Sequence, residues 1–200
     1  MKQRAFFNWS GGKDSAFALY YILKEQKFSV DFLLTTLSKE YHRVSMHGVS
    51  EELLDIQAHC LGLELKKIFL PDNISMKDYD TIFSDALKTF KNTGIENAVF
   101  GDIFLQDLRD YRESRLAEAG IKCHFPLWGK NSRTLINDFI KLGFKTIVTC
   151  VNEQYLDKSF TGRIIDSQFI SDLPKDVDPC GENGEFHSFV FDGPIFKEPV

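Results

Sequence analysis

The chain contains few cysteines and no closely spaced cysteine pair. Its 200 residues include four, none of them in a CxxC motif. A zinc site or the disulfide framework of a small secreted domain requires paired spacings, so we expect reduced, buried thiols and a cytoplasmic protein. The five histidines show no HxH or HxxxH spacing, which argues against metal binding by histidine.

Long apolar runs and an excess of basic residues are also missing. No stretch approaches the roughly 20 apolar residues that a membrane helix needs. The first residues do not predict a signal peptide, because the apolar run before Ser10 is short. The formal net charge of −5 makes nucleic acid an unlikely partner, since phosphate contacts come from basic surfaces. We therefore expect a globular protein that is neither a membrane protein nor a nucleic-acid binder.

Short apolar runs alternate with helical patterns over the first two-thirds of the chain. The strands are predicted at residues 5–9, 30–37, 65–70, 98–100 and 122–125. The helices between them are predicted at residues 13–25, 50–61, 77–91 and 106–119. This alternation is typical of a parallel sheet with helices on both faces. The predicted fold class is therefore α/β and Rossmann-like, over residues 1–125.

The pattern changes after residue 125. Residues 134–142 predict a helix and residues 145–151 a buried strand, before a turn-rich tail. The tail segment DPCGENGEFHSFVFDGP, residues 178–194, predicts a structured loop that leads into a strand. We expect residues 126–200 to form a small C-terminal α+β subdomain on the substrate side, packed against the sheet.

The stretch NWSGGKDSAF, residues 8–17, joins the first strand to the first helix. In an open parallel sheet, ligands bind beyond the carboxyl ends of the strands. Two glycines let backbone N–H groups converge on an anion, and the helix N-terminus adds roughly half a positive charge. Lys13 supplies a mobile cation, and Asp14 suits a Mg²⁺ ion that bridges phosphate oxygens. The alternative is a tight turn with Ser10 as the helix cap, but six specified positions in this context favour phosphate binding.

The loop is neither a Walker motif nor a GxGxxG fingerprint. It resembles the PP-loop, SGGxDS, of the ATP pyrophosphatases. With HFPLWG at residues 124–129 and the GENGE segment of the tail, the chain resembles the diphthine–ammonia ligase (diphthamide synthase) family over nearly its whole length. This resemblance implies a HUP-type, adenine-nucleotide α-hydrolase-like domain and a small C-terminal domain. It also implies that ATP is cleaved between its α and β phosphates, with ATP and Mg²⁺ as cofactors.

The resemblance assigns roles by position. ATP would be bound by Ser10, Gly11, Gly12, Lys13, Asp14, Ser15, Gly101, Asp102 and Arg109. The substrate-side motif would comprise Glu182, Asn183, Gly184, Glu185 and His187. Catalytic roles would fall to Lys13, Asp14, Glu182 and Glu185, with Asp14 positioning Mg²⁺ directly or through water.

Two further interpretations come from local patterns. His47 precedes the second helix near the ligand edge of the sheet, where it would contact adenine or ribose. Arg109, Arg112 and Glu113 share one helical face. These arginines could lie in the cleft. The alternative is that they only form an exposed salt bridge between residues four positions apart.

The implied reaction adenylates a substrate carboxylate and then transfers ammonia, giving an amide, AMP and pyrophosphate. Free ammonium is the expected donor, because no cysteine precedes Cys60 to serve as a glutaminase nucleophile at the N-terminus. Diphthine-amidating members carry a motif nearer EGGEYET, whereas residues 182–188 here read ENGEFHS, so the carboxylate substrate stays open. An ATP-binding regulator without turnover and an RNA-modifying PP-loop ligase are the alternatives. A homodimer is the default assembly.

Overall fold

Strands and helices alternate through the first 125 residues of the computed structural model, which describes residues 2–44 and 48–200. The strands are β1 Gln3–Asn8, β2 Phe28–Ser38, β3 Glu64–Leu70, β4 Asn97–Val99 and β5 Lys122–His124. The helices are α1 Lys13–Glu25, α2 Glu51–Leu61, α3 Met76–Asn92 and α4 Gln106–Glu118. Among the described residues, no helix has both the length and the apolar character that crossing a membrane requires.

The five strands form one parallel sheet in the order β3-β2-β1-β4-β5. The chain builds outward from β1 to β3, then returns to the other side of β1 for β4 and β5. The order therefore reverses between β1 and β4, and their carboxyl ends open the crevice in which such sheets bind ligands. The predicted α/β Rossmann-like fold class is confirmed.

Side chains of β1 separate two hydrophobic layers. Ala5 and Phe7 point to one face, where they join the core that α1, α2 and the C-terminal segments cover. Phe6 points to the other face, where it packs with α3 and α4. A strand buried on both faces must be apolar at successive positions, which explains the Ala-Phe-Phe run.

The C-terminal part contributes a two-stranded antiparallel sheet and two helices. Its elements are α5 Ser132–Lys141, β6 Lys145–Val151, a 3₁₀ turn Lys158–Phe160, α6 Ser167–Asp172 and β7 Phe186–Asp192. Phe139 of α5 stacks on Phe144 at 4.4 Å and meets Phe17 of α1 edge-on at 5.7 Å. This part therefore shares a core with the parallel sheet, and the division at residue 125 stays a prediction.

Most helices begin at a side-chain cap, but the two that face the crevice do not. Ser50, Ser75 and Asn131 each accept a hydrogen bond from the third residue of their helix, as N-caps do. In contrast, α1 is capped by Gly12 and α4 by Leu105, whose side chains cannot accept a hydrogen bond. The first-turn N–H groups of both helices are consequently left for other partners.

Replacing Phe139 with alanine tests whether the chain unfolds as one unit. The ring is 1% exposed and joins α5 to α1, so its loss should lower the free energy of unfolding by about 3 to 5 kcal/mol. Urea unfolding followed by circular dichroism and by tryptophan fluorescence should show one shifted transition. Phe69→Ala, at a ring that is 38% exposed, is the matched control and should cost less than about 1 kcal/mol. Two separate transitions would contradict the shared core.

Candidate functional site

The loop between β1 and α1 lies at the carboxyl end of β1, beside the point where the strand order reverses. Gly11 has a φ of +78°, in the left-handed region. A Cβ atom there would also lie 2.8 Å from Oε1 of Gln57 and 2.9 Å from Cδ2 of Leu54. Conformation and space therefore both require glycine at this position.

The start of α1 leaves backbone N–H groups for an anion. Gly12 is the N-cap, so the alternative in which Ser10 caps the helix is not what the structure shows. Oγ of Ser10 lies 3.4 Å from the amide nitrogen of Gly12, and the hydroxyl of Ser15 donates to the carbonyl of Gly12 at 2.8 Å. The amides of Asp14 and Ser15 have no partner within the helix, because first-turn N–H groups never do. This arrangement suits a phosphate group.

Strand β7 from the C-terminal part packs directly against the loop. The N–H of Lys13 donates to Oγ of Ser188 at 3.2 Å. The N–H of Val190 donates to the carbonyl of Gly11 at 3.0 Å. The apolar pattern of the tail predicts a strand, but nothing in it indicates that this strand supports the loop.

Lys13 is buried rather than mobile, which corrects the expectation of a mobile cation. Its side chain is 5% exposed, and Nζ lies 2.7 Å from Oδ2 of Asp14 and 5.4 Å from the ring centre of Phe186. Burial by itself lowers the pKa of Lys13, but Asp14, Cys180 and Glu182 outweigh it, and the pKa ends above its ordinary value. The ammonium group is therefore a fixed positive charge within the site.

Gly101 and Asp102 follow β4 and reach the first turn of α1. A Cβ atom on Gly101 would lie 2.9 Å from the carbonyl carbon of Asp14 and 3.0 Å from the nitrogen of Ser15. Glycine here thus permits the close approach of two backbones. Burial raises the pKa of the Asp102 carboxyl, against the opposing charge of Arg112. The predicted positions 101 and 102 are brought together with the loop.

The two arginines of α4 have different surroundings. Nε of Arg112 lies 3.2 Å from Oδ2 of Asp102, and its guanidinium lies 4.4 Å from the ring centre of Phe100. Arg109 instead pairs with Glu113 at 2.8 Å, the salt bridge between residues four apart named as the alternative. Its guanidinium also lies 4.6 Å from the ring centre of Trp128. Arg112 is therefore the arginine beside Asp102, and the ATP-binding role of Arg109 stays a prediction.

Glu182 connects the C-terminal loop to the start of α4. Its Oε1 accepts hydrogen bonds from the N–H of Ile103 at 2.7 Å and of Phe104 at 3.4 Å. Burial, and then the charge of Asp14, raise the pKa of Glu182 to about 7. A carboxyl group with this pKa exchanges protons near neutral pH.

Glu185 has a different environment, although the sequence treats the two glutamates alike. It is 1% exposed, and its carboxylate accepts hydrogen bonds from the N–H of Asp178, the N–H of Asn183 and Nδ2 of Asn183, at 2.9 to 3.0 Å. These bonds tie the loop to itself, with Gly184 at a φ of +85° completing the turn. The contacts indicate a structural role for Glu185 and Asn183.

His187, at the start of β7, is half-buried. Burial, followed by the charge of Lys13, lowers the pKa of His187, which favours the neutral imidazole. His47 lies outside the described residues, and its predicted contact with adenine or ribose stays a prediction.

The geometry defines an α/β protein with an anion-binding type of site: a helix without a side-chain cap begins at a strand-order reversal and is covered by a carboxylate-bearing loop. Residues 1–123 match the family model for the diphthamide synthase N-terminal domain, and residues 131–200 match that for the diphthamide synthase C-terminal domain. The chain belongs to the diphthamide synthase family.

Curated relatives carry the name diphthine–ammonia ligase. The protein from Schizosaccharomyces pombe is 24% identical over 209 residues, which cover 96% of this chain and 34% of that one. The Mus musculus protein is 24% identical, covering 86% and 61%, and the Danio rerio protein is 24% identical, covering 96% and 83%. The chain thus spans about a third of the fission-yeast relative. Among solved structures, the U34-tRNA thiolase NcsA from Methanococcus maripaludis matches with a TM-score of 0.42 and 15% identity, over 70% of this chain and 57% of that one.

Glu182→Gln tests the electrostatics of the site through stability. A carboxyl pKa raised from 4.5 to about 7 on folding means that the folded state binds the proton more tightly, so this group's contribution to stability falls as pH rises through that range. Glutamine keeps the Oε1 acceptor and carries no charge. The variant should therefore gain on the order of 1 to 3 kcal/mol over the unmodified protein at pH 8, and almost nothing at pH 4.

The measurement is urea unfolding of both proteins at the two pH values. Glu96→Gln is the control, because its exposed ion pair with Lys91 lowers the pKa of Glu96 and the variant should bring no gain at pH 8. An equal effect of Glu182→Gln at both pH values would show that Glu182 is not held in a protonation-sensitive environment.

Proposed function

We propose that the chain is an ATP-dependent amide ligase of the diphthine–ammonia ligase type. It would use ATP to adenylate a carboxylate, release pyrophosphate and transfer ammonia to the acyl group. The observation that carries this proposal is the joining of an anion-binding loop, Ser10–Ser15, with a proton-exchanging carboxyl group, Glu182, at one edge of the sheet. The family membership and the name of the relatives support the same reaction.

The nucleotide half of the reaction depends on the loop. The β and γ phosphates would lie against the first-turn amides of α1, and the fixed charge of Lys13 would stabilise the negative charge that builds up on the leaving pyrophosphate. The substrate carboxylate attacks the α-phosphorus, the bond to the bridging oxygen breaks, and pyrophosphate leaves. These contributions are electrostatic and need no proton transfer from the protein.

Mg²⁺ fits the oxygen atoms at this edge. Asp14 and Asp102 would hold it. Oδ2 of Asp102 is buried, and Nε of Arg112, 3.2 Å away, is not aligned to donate a hydrogen bond to it. Residues 2–44 and 48–200 contain no ready-made group of three or more metal-ligating side chains. Mg²⁺ usually takes one or two carboxylates together with phosphate oxygens and water, so the two aspartates would be sufficient beside a bound phosphate. The ion would supply charge neutralisation on the phosphates.

The amine half of the reaction is assigned to Glu182. With a pKa of about 7, its carboxylate accepts a proton from ammonium near neutral pH, and ammonia then attacks the acyl carbon with AMP as the leaving group. Glu185 is assigned to loop structure instead, because its carboxylate already accepts three hydrogen bonds. Glu182, Gly184 and His187 of the motif would face the carboxylate substrate. We expect a cytoplasmic enzyme, with a homodimer as the default assembly.

Asp14→Asn tests the proposal through the products of ATP turnover. Purified protein is given Mg²⁺, α-labelled ATP, ammonium and a panel of carboxylates that begins with diphthine. The unmodified protein should form AMP and pyrophosphate, and Asp14→Asn should lower that rate by about 100-fold or more, since it removes a charge that positions the metal and Lys13. Asp85→Asn is the matched control, because Asp85 pairs with Lys88 on the exposed face of α3 and should leave the rate unchanged.

The other products separate the alternatives. ADP and phosphate would contradict the pyrophosphatase reading. Tight ATP binding without turnover on any carboxylate would favour the regulator. Modification of RNA, with binding that weakens steeply as salt rises, would favour the RNA-modifying ligase.

A further inference from the structure

Gln57 of α2 is a fully buried amide whose hydrogen bonds all serve the site. Its side chain is 0% exposed. Oε1 accepts from Nε1 of Trp9 at 2.9 Å. Nε2 donates to the carbonyl of Gly11 at 3.0 Å and to the carbonyl of Val190 at 2.6 Å. One side chain therefore bonds to the loop on both sides of Ser10 and also to strand β7.

These bonds fix the orientation of one peptide unit. The carbonyl of Gly11 accepts hydrogen bonds from both Gln57 and the N–H of Val190. Because a trans peptide is planar, its N–H points away from its C=O. The N–H of Gly12 belongs to this peptide, so holding the Gly11 carbonyl against α2 and β7 aims the Gly12 N–H in the opposite direction. On that side it meets Oγ of Ser10 only at 3.4 Å, a long distance for a hydrogen bond.

The packing around Gln57 leaves the loop little freedom to turn this peptide over. The space that a side chain on Gly11 would need is filled by Oε1 of Gln57 and Cδ2 of Leu54. Gly12 is restricted by β7 in the same way, because a Cβ atom there would lie 3.1 Å from the carbonyl oxygen of Ser188. The loop is thus enclosed between α2 and β7.

We propose that Gln57 is a positioning residue for the pyrophosphate part of ATP. It acts through the Gly11 carbonyl to direct the Gly12 N–H at the β or γ phosphate, and it holds the loop to β7 while doing so. This inference rests on the proposed function, because it takes the loop to be the phosphate site. It predicts that Gln57 affects ligands that carry the β and γ phosphates and leaves AMP binding unaffected.

Gln57→Met tests the inference by calorimetric binding of Mg·ATP and of AMP. Methionine has a similar length and no donor, so the peptide loses one of its two restraints. We expect the Kd of ATP to rise about tenfold and the Kd of AMP to change less than twofold. A purely structural loss would lower the fraction of folded protein and leave both dissociation constants unchanged.

Asn97→Leu is the matched control. Asn97 is another buried amide, with bonds to the carbonyl of Arg4 and to His124, but it begins β4 at the opposite edge of the sheet. Its loss should lower the melting temperature and keep the ratio of the two dissociation constants. An equal ratio change in both variants would overturn the inference.

Two further arms keep the test decisive. Gln57→Leu also removes the Nε2 donor, without a chain of methionine's flexibility, and should reproduce the tenfold loss. An unchanged ATP affinity in this variant overturns the inference. In the unmodified protein, hydrogen exchange with pyrophosphate as the ligand should slow at the Gly12 amide while the Val190 amide stays protected throughout. Rapid exchange at Val190 overturns the inference. If the unmodified protein binds ATP and AMP equally well, the proposed function fails instead.

Discussion

The backbone carbonyl of Gly11 accepts hydrogen bonds from two parts of the chain, and the site is organised around it. One donor is Gln57 in α2 and the other is Val190 in β7. The loop contains two glycines, and its internal hydrogen bonds involve Ser10, Gly12 and Ser15 but not the carbonyl of Gly11. The two donors fix the orientation of the Gly11–Gly12 peptide, and the direction of the Gly12 N–H follows from it.

This constraint explains why the C-terminal part of the chain is packed so closely against the sheet. Strand β7 has to lie beside the start of α1, and the ring of Phe186 then covers Lys13. The same placement brings Glu182 close to the segment before α4. There the N–H groups of Ile103 and Phe104 donate hydrogen bonds to its carboxylate. The edge-on contact between Phe17 of α1 and Phe139 of α5 adds a second connection between the C-terminal part and α1. The orientation of the loop, the burial of Lys13 and the environment of Glu182 thus all depend on the packing of β7 against the start of α1.

Local sequence patterns predict the frame of this molecule well. Helix α1 begins and ends at the predicted residues, 13 and 25, because Gly12 and a clear apolar face delimit it. The apolar runs have the length of strands that are buried on both faces, and they therefore predict the parallel sheet. Strands β4 and β5 each end one residue before the prediction, at Val99 and His124, and an apolar run cannot say where pairing stops.

What the sequence does not reveal is the long-range pairing that makes the site. Gln57 bonds to residues 46 and 133 positions away, and a glutamine in an amphipathic helix looks like any surface residue. The burial of Lys13 and the separate environments of Glu182 and Glu185 have the same origin, since each depends on where β7 and its loop dock. Residue type and spacing identify these glutamates as candidates, but only their partners distinguish the proton-exchanging group from the structural one.

The most direct test of this account is a crystal structure with Mg²⁺ and an ATP analogue that resists cleavage between the α and β phosphates. The account predicts the β and γ phosphates within hydrogen-bond distance of the amides of Gly12 and Asp14. It also predicts that the Gly11 carbonyl keeps its bonds to Gln57 and Val190. Nucleotide bound elsewhere on the sheet, or phosphates in the loop with β7 displaced from Gly11, would contradict it.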